Sequence, residues 1–223
     1  MSLIQKEIKK VYLGTQQVWP KNDPMDLLTN VKYYFPMQWD IKDYSGNNAD
    51  LTRTAWTVTY GTNYNTLSSA LLRNNAVSYT WNVQTIGIRC RLTSWNSQMF
   101  SAGYDGNGST GWWMWINVTK WEYVVSGSGY STGTYTSIQD STRHLMIFTY
   151  DWTTATMYKD GSQLATGSRS WSVRSVLWIS IWSYGYDSTR YTWDIWITFL
   201  TNSAMSASDV TAFYNATKDI YGL

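Results

Sequence analysis

Residues 143–165 decide the fold, and they read RHLMIFTYDWTTATMYKDGSQLA. This stretch predicts three successive strands at 144–150, 156–159 and 162–165. Asp160 and Gly161 lie between Tyr158 and Leu164, and an Asp-Gly pair between two β-prone runs is typical of a two-residue hairpin turn. The segment therefore predicts antiparallel sheet structure.

The same pattern extends through most of the chain. Short β-prone runs alternate with turns rich in Gly, Asn, Asp and Ser, such as residues 104–108 and 126–129, and no repeat of fixed period connects them. The further predicted strands are 75–81, 85–92, 98–102, 111–117, 120–125, 176–182 and 192–200.

One helix is predicted after the last strand. Ser206 or Ser208 is suited to the N-cap, Asp209 falls in the first turn, and Gly222 is suited to end the helix. An apolar stripe at helical spacing is formed by Val210, Phe213, Tyr214 and Thr217. The predicted fold class is all-β, a sandwich of two antiparallel sheets with a short C-terminal helix.

The N-terminal segment differs from this body. All three prolines, at 20, 24 and 36, precede the strand-rich region, and the runs 8–13 and 16–19 flank Gly14-Thr15 as in a small hairpin. An isolated hairpin is marginal in water, so it docks on its own body, a sister subunit or another protein; alternatively, it is the first strand pair of the main sheet. We expect an anchor segment at 1–24 and a sandwich domain at 25–223, with candidate assembly residues Val11, Tyr12, Val18 and Trp19.

Composition limits the function classes. The 223 residues include fifteen Trp, eighteen Tyr and five Phe but only 14% charged residues, with a net charge of +2. The weak charge argues against nucleic acid as a partner, and one Cys with one His excludes an internal disulfide or a Cys/His zinc cluster. No apolar run is long enough to cross a membrane, and MSLIQKEIKK lacks the apolar region of a secretory signal.

Several segments together resemble a LamG-type domain of the concanavalin A-like lectin/glucanase superfamily. They appear in the family's order at 34–37, 43–47, 143–151, 157–161, 193–199 and 205–214, and span about residues 31–222. Arg143 and Trp193 depart from the family's usual Trp and Gly. The resemblance implies a jelly-roll sandwich, a fold that hosts lectins, adhesion modules, hydrolases and virion spikes.

Residues 8–20, IKKVYLGTQQVWP, resemble N-terminal pieces of phage-encoded and prophage-encoded virion proteins. This resemblance implies a peptide that anchors the protein on a larger assembly, with the sandwich facing outward. We therefore expect synthesis in a host cytoplasm and a place on the virion surface, with an extracellular location as the alternative. The expected partners are other virion subunits or the chain itself, including as a homotrimer, and a cell-surface glycan.

The sequence predicts no catalytic site. Glucanases of the superfamily carry carboxylates spaced as E-x-D-x-x-E on one strand, and that pattern is absent; Glu122 has no acidic neighbour two or four residues away, and nothing marks Asp187 and Asp194 as a pair. His144 is interpreted as a strand-end packing residue and Cys90 as a mid-strand core or surface residue.

No cofactor or metal site is predicted. Asp43, Asp105 with Asn107, and Asp187 lie in loops where Ca²⁺ is an alternative, but Asp and Asn more often form turns.

The aromatic residues alternate along strands. In 176–182, the aliphatic positions 177, 179 and 181 are expected to face the core, so Trp178, Trp182 and the following Tyr184 face outward. Residues 193–199 are expected to behave likewise, with Trp193, Ile195, Ile197 and Phe199 inward and Trp196 outward. Three interpretations of the outward surface are open: a platform for sugar binding, a subunit interface, or the solvent-exposed edge of an aromatic core. The candidate sugar-binding residues are Tyr104, Asp105, Asn107, Trp113, Trp178, Trp182, Tyr184, Asp187 and Trp196.

These observations favour a non-enzymatic virion surface protein with a lectin-like domain. A cellular carbohydrate-binding or adhesion module is the alternative, followed by a glycoside hydrolase.

Overall fold

The chain folds as a β-sandwich of antiparallel sheets with one C-terminal helix. The computed structural model describes residues 11–13, 16–19, 24–37, 40–61, 64–77, 79–81, 83–92, 98–103, 111–116, 121–125, 130–131, 142–168, 174–176, 178–182 and 192–219. Its elements are β1 (Val11–Leu13), β2 (Gln16–Trp19), β3 (Val31–Phe35), β4 (Thr52–Tyr60), β5 (Asn65–Asn74), β6 (Tyr79–Trp81), β7 (Gln84–Leu92), β8 (Gln98–Gly103), β9 (Gly111–Ile116), β10 (Trp121–Val125), β11 (Tyr130–Ser131), β12 (His144–Tyr150), β13 (Thr154–Lys159), β14 (Ser162–Ser168), β15 (Arg174–Val176), β16 (Trp178–Trp182), β17 (Thr192–Thr201) and α1 (Ala207–Lys218).

Strand β17 lies at the centre of the hydrogen-bonded network. The strands follow the order β11-β10-β9-β8-β16-β5-β17-β7-β12-β13-β14, with β3 also paired to β17 and β4 to β5. One edge of β17 pairs with β7, whereas the other pairs first with β5 and then with β3. The pairing is antiparallel throughout this described network.

The main core lies between the two layers of the sandwich, and we call it the interlayer core. Ile179 and Ile181 of β16 pack in the same cluster as Ile88 of β7, Phe148 of β12 and Met157 of β13. This confirms the inward position expected of Ile179 and Ile181, while residue 177 lies outside the described part. Alternate residues of β7 and β12 enter this core, as the two-residue period of a strand requires.

A second core lies between the opposite face of one sheet and helix α1. Leu145 and Ile147 of β12 pack there with Phe199 of β17 and with Val210 and Phe213 of the helix. The rings of Phe199 and Phe213 are 5.0 Å apart between centroids, in a tilted arrangement. This helix-side core is why β12 and β17 are buried on both faces.

Helix α1 begins where the sequence indicates. Ser206 is the N-cap, and its side chain accepts a hydrogen bond from the Asp209 backbone N–H. The Asp209 carboxylate accepts one from the Ser206 backbone N–H, which completes a capping box. The helix ends at Lys218 with Asp219 as its C-cap, so the expectation that it continues to Gly222 is wrong. Gly222 itself lies outside the described residues.

The predicted strands 75–81 and 176–182 differ from those in the structure, and one pair of strands is missing from the prediction. The predicted strand 75–81 is the short strand β6, preceded by residues outside any strand, and the predicted 176–182 is described as β15 and β16, with residue 177 between them outside the described part. The long pair β4 and β5 was not predicted. In β5 the apolar residues Ala70, Leu71 and Leu72 are consecutive, so the period of two is weak there, whereas the run 56–60 of β4, WTVTY, does alternate and is a strand signal that was missed.

The predicted single inward face of residues 193–199 is also wrong. A β-bulge interrupts the pairing of β17 with β7 between Ile195 and Ile197. Trp193 and Ile195 therefore pack between the layers, whereas Ile197 and Phe199 pack beneath the helix. A bulge adds one residue to one strand and so reverses which residues face each side.

The N-terminal hairpin is confirmed as a strand pair. β1 and β2 are antiparallel, with Val11 opposite Trp19 and Leu13 opposite Gln16, and they form a separate two-stranded sheet. Gly14-Thr15 and the side chains of this hairpin lie outside the described part, so the boundary at 24/25 and the assembly role of Val11, Tyr12, Val18 and Trp19 remain predictions. Of the helices described, none is long and apolar enough to cross a membrane.

Candidate functional site

A cluster of arginine and aromatic side chains surrounds the bulge of β17. The Trp196 ring lies 4.7 Å from the Tyr64 ring between centroids, and the guanidinium carbons of Arg143 and Arg91 lie 4.8 Å and 6.0 Å from the indole centroid. Both distances are within the range of cation–π attraction. We call Tyr64, Arg91, Arg143, Asp194 and Trp196 the arginine–aromatic cluster.

The cluster lies on the face opposite the interlayer core. Arg91 pairs across the strands with Asp194, which pairs with Thr66, so these three residues form one row over β7, β17 and β5. The neighbouring row holds Cys90 and Ile195, whose side chains enter the interlayer core. Because successive residues of a strand alternate between faces, the row of Arg91 points away from that core.

Trp196 is buried, contrary to the prediction that it is an exposed platform. Its exposed fraction is 0%, because Tyr64 and the two guanidinium groups lie around the ring. Among the residues that the structure describes, none accepts a hydrogen bond from its indole N–H. The prediction of an outward position was made from strand alternation, which gives a residue's face but not what covers it.

An ion pair fixes one arginine of the cluster. Nε of Arg91 donates to Oδ2 of Asp194 at 2.9 Å, Nη2 contacts the same oxygen, and Thr66 Oγ1 donates to Oδ1 of Asp194 at 2.6 Å. The side chain of Asp194 is 5% exposed and that of Arg91 is 32% exposed. Asp194 therefore has a structural role, whereas Asp187 lies outside the described residues.

His144 and Asp160 join the start of β12 to the Asp-Gly turn. His144 Nδ1 lies 2.6 Å from Asp160 Oδ2, and Nε2 lies 2.9 Å from Thr142 Oγ1. Oδ1 of Asp160 accepts the Leu145 backbone N–H at 2.8 Å, and Asp160 and Gly161 both have positive φ. These bonds support the interpretation of His144 as a packed strand-end residue and confirm the predicted hairpin turn.

Cys90 is a core residue. Burial, with a smaller contribution from the charge of Asp160, raises the pKa of its thiol to about 12. A thiol that stays protonated at neutral pH is a weak nucleophile. This agrees with the structural interpretation of Cys90.

The predicted aromatic platform lies on β16, β8 and β9, and the backbone pairing of these strands shows which positions are neighbours. Position 180 of β16 pairs with Ser101, which pairs with Trp113, while Trp182 pairs with Met99 and Trp178 with Gly103. Because Ile179 and Ile181 enter the core, positions 178, 180 and 182 share the opposite face. Ser180 is fully buried, so this face is not open to solvent at that point.

The other predicted sugar-binding residues are not brought into any described site. The side chains of Trp113, Trp178 and Trp182 lie outside the described part, as do the whole residues Tyr104, Asp105, Asn107, Tyr184 and Asp187. Of the calcium candidates, Asp43 is described, and its carboxylate accepts backbone N–H groups of Tyr34, Ser45 and Ala49. Within the described part, no group of three or more acidic, His or Cys side chains could hold a metal ion.

Sequence reasoning missed Tyr64, Arg91 and Arg143 as cluster members. The sequence contains one indication of the position of Arg91, because Arg89 and Arg91 alternate with core positions on a predicted strand and so face away from the core. Tyr64 and Arg143 precede strands, and the bulge that places them beside Trp196 has no pattern in the sequence.

Solved structures share this fold at low sequence identity. Botulinum neurotoxin type C, which depends on interaction with two ganglioside molecules to enter cells, matches with a TM-score of 0.69 and 11% identity over 88% of this chain and 53% of that one. The binding domain of botulinum neurotoxin DC, in complex with SialylT, gives a TM-score of 0.71 and 11% identity over 85% and 52%. The binding domain of Paraclostridial Mosquitocidal Protein 1 gives a TM-score of 0.69 and 16% identity over 88% of this chain and 54% of that one.

These similarities establish the fold alone. The chain spans about half the length of the structures it matches, so a ligand of those proteins is not assigned to the shared half. No protein-family model and no curated protein matches the sequence. The LamG resemblance and the phage context therefore remain interpretations of the sequence.

Proposed function

We propose that this chain is a non-enzymatic recognition module that binds glycans at a cell surface. The observation that carries the proposal is the fold shared over 84–88% of the chain with binding domains of clostridial toxins. Cell entry of botulinum neurotoxin type C depends on interaction with two ganglioside molecules, and the binding domain of botulinum neurotoxin DC is solved in complex with SialylT. The aromatic residues of β9 and β16 are the ones we propose as ring faces for sugars.

The described carboxylates support a binding role over hydrolysis. Asp194 accepts hydrogen bonds from Arg91 and Thr66. Asp160 is hydrogen-bonded to His144 and accepts one backbone N–H, and Asp43 accepts three backbone N–H groups. Glycoside hydrolysis instead requires two carboxyl groups that face a shared substrate. Each of these three side chains already has a structural task.

We further propose that the module belongs to a phage or similar particle, with the hairpin β1–β2 as its attachment. The separate two-stranded sheet and the sequence of residues 8–20 support this placement. Electron microscopy of purified particles tests it. Density for the sandwich on the particle surface is expected, whereas a chain found only as a free secreted protein favours the cellular adhesion module.

Glycan binding is tested with the full chain on an immobilised panel of cell-surface glycans. We expect Trp178→Ala and Trp182→Ala to weaken binding at unchanged stability, because stacking requires the indole. Thr153→Ala, at an exposed position in the β12–β13 turn, is the control. Equal binding by all variants would remove the aromatic face of β16 from the proposal.

A further inference from the structure

A depression of about 280 Å³ lies beside β3, outside the arginine–aromatic cluster. It is lined by Lys32, Tyr33, Asn47, Asn48, Ala76 and Val77. These residues come from β3, from the loop that follows it and from the segment between β5 and β6. The depression therefore brings together three parts of the chain that are distant in sequence.

The loop side of the depression is held rigidly by Asp43. Its Oδ1 accepts the backbone N–H groups of Tyr34 at 3.1 Å and Ser45 at 2.9 Å, and its Oδ2 accepts that of Ala49 at 3.1 Å. Asn47 Nδ2 donates to the Lys32 carbonyl at 2.9 Å, which ties the loop to β3. The lining is thus fixed before any ligand arrives, which lowers the entropy cost of binding.

The opposite wall is tied to the same loop by one side chain. Asn74 Nδ2 donates to the Asp50 carbonyl at 2.8 Å, and Asn74 Oδ1 accepts the Ala76 backbone N–H at 2.7 Å. The two walls therefore keep a constant separation.

Polar groups of the lining are available to a ligand. Within the described part of the chain, the Asn48 amide, the Lys32 ammonium and Oδ1 of Asn47 make no hydrogen bond or ion pair. Val77 is buried and supplies an apolar wall. Burial, and secondarily the charge of Asp43, raises the pKa of the Tyr33 hydroxyl to about 12.

We infer that this depression binds a single neutral pyranose ring, the terminal sugar of a glycan. Its volume is near the lower limit of about 300 Å³ for ligand pockets, which suits one sugar ring. Amide and ammonium groups beside an apolar wall match hydroxyls beside the apolar face of a ring. The carboxylate of Asp43 acts electrostatically on the lining, since it contributes to the raised pKa of Tyr33, and its negative charge disfavours an acidic sugar there. The inference rests on the proposed function, whose glycan it specifies.

The test is a titration of the isotope-labelled full chain, followed by NMR, with methyl glycosides of galactose, glucose and mannose and of N-acetylneuraminic acid as the acidic comparison. Asn48→Gly removes the amide but keeps a backbone that favours the positive φ of Asn48. Ala76→Phe fills the depression from an exposed position. Lys42→Gln, an exposed lysine of the neighbouring segment, is the charge control.

We expect saturable shifts at Asn47, Asn48 and Val77 with at least one neutral glycoside, and weaker binding of the acidic one. Asn48→Gly should weaken the neutral ligand about fivefold, the effect of one or two lost hydrogen bonds. Ala76→Phe should abolish binding, while Lys42→Gln should leave it unchanged. Shifts confined to other regions, or none with any glycoside, would overturn the inference. If the chain still bound oligosaccharides on the glycan panel, the proposed function would stand without it.

Discussion

The Arg143 guanidinium lies 4.8 Å from the centroid of the Trp196 indole, and this contact helps to remove Trp196 from solvent. A residue before a strand thus covers a residue in the bulge of the central strand. The arrangement converts an outward tryptophan into part of a local core. The arginine at 143 departs from the tryptophan that the LamG resemblance leads one to expect, and it has a definite packing role.

Replacing Arg143 should expose Trp196. We expect Arg143→Ala to lower the free energy of unfolding by about 1–2 kcal/mol, since a desolvated cation–π pair and its packing are lost. Arg143→Lys should fall between Ala and the parent, because an ammonium lacks the planar face. Chemical denaturation measures the loss, with Arg53→Ala, at an exposed position of β4, as the control.

The indole of Trp196 should also become accessible to acrylamide in Arg143→Ala. The signal of Trp196 is isolated by subtracting the quenching of the Arg143→Ala/Trp196→Phe double variant. Parent-like stability together with parent-like quenching would show that Arg143 does not cover the ring.

The buried Asp194 should depend on Arg91 more than the partly exposed Arg91 depends on Asp194. Asp194→Asn leaves a partly exposed guanidinium without its carboxylate, and we expect a cost of about 2 kcal/mol, below the 3–5 kcal/mol of a fully buried pair. Arg91→Met leaves a buried carboxylate that retains only Thr66 of its two described side-chain partners, so the cost should be larger. A double-mutant cycle of the two sites measures their coupling. Additive losses would contradict a direct interaction.

Gly87 should tolerate no side chain. A Cβ built there would lie 2.1 Å from Cε1 of Phe199, whose ring is packed against Phe213. Gly87→Ala should therefore destabilise the protein by about 1–3 kcal/mol, as overpacking does. Gly167→Ala is the matched control, because a Cβ at Gly167 meets nothing within 4 Å. Thermal unfolding compares the two; equal midpoints would mean that the sheet and helix separate easily.

The sequence predicts β12 and its neighbouring hairpin turn better than it predicts which residues of β17 face each side. β12 and the Asp160-Gly161 turn follow from local patterns, and so does the Ser206 capping box, because each depends on neighbours in the chain. The bulge at Ile195–Ile197 depends on pairing with β7, which is distant in sequence. A shift of one residue there reverses the faces of β17 and makes alternation misleading.

The candidate sites were predicted less well for the same reason. The depression beside β3 is closed by Asn74 through two hydrogen bonds that no local sequence pattern indicates. Tyr64 contacts Trp196 across 132 residues of chain, and neither residue's local sequence indicates the other.

Cys90 should be unreactive in the folded protein. Because burial raises its pKa to about 12, the folded chain keeps its proton while the unfolded chain loses it from about pH 9 upward. The stability contributed by the protonated thiol is therefore full below pH 9 and is lost as pH rises towards 12. Cys90→Ala should show a shallower fall of unfolding free energy over that range. Iodoacetamide labelling at neutral pH checks the same point: rapid labelling without unfolding would contradict a buried thiol.

Incubation of the full chain with a panel of cell-surface glycans, followed by calorimetry on those that bind and chromatography of the recovered sugars, tests the central claim most directly. The account predicts saturable binding of at least one glycan and recovery of that glycan intact. Binding to none of the glycans would contradict recognition. Shortened glycans whose release is lost in Glu122→Gln would contradict a non-enzymatic module.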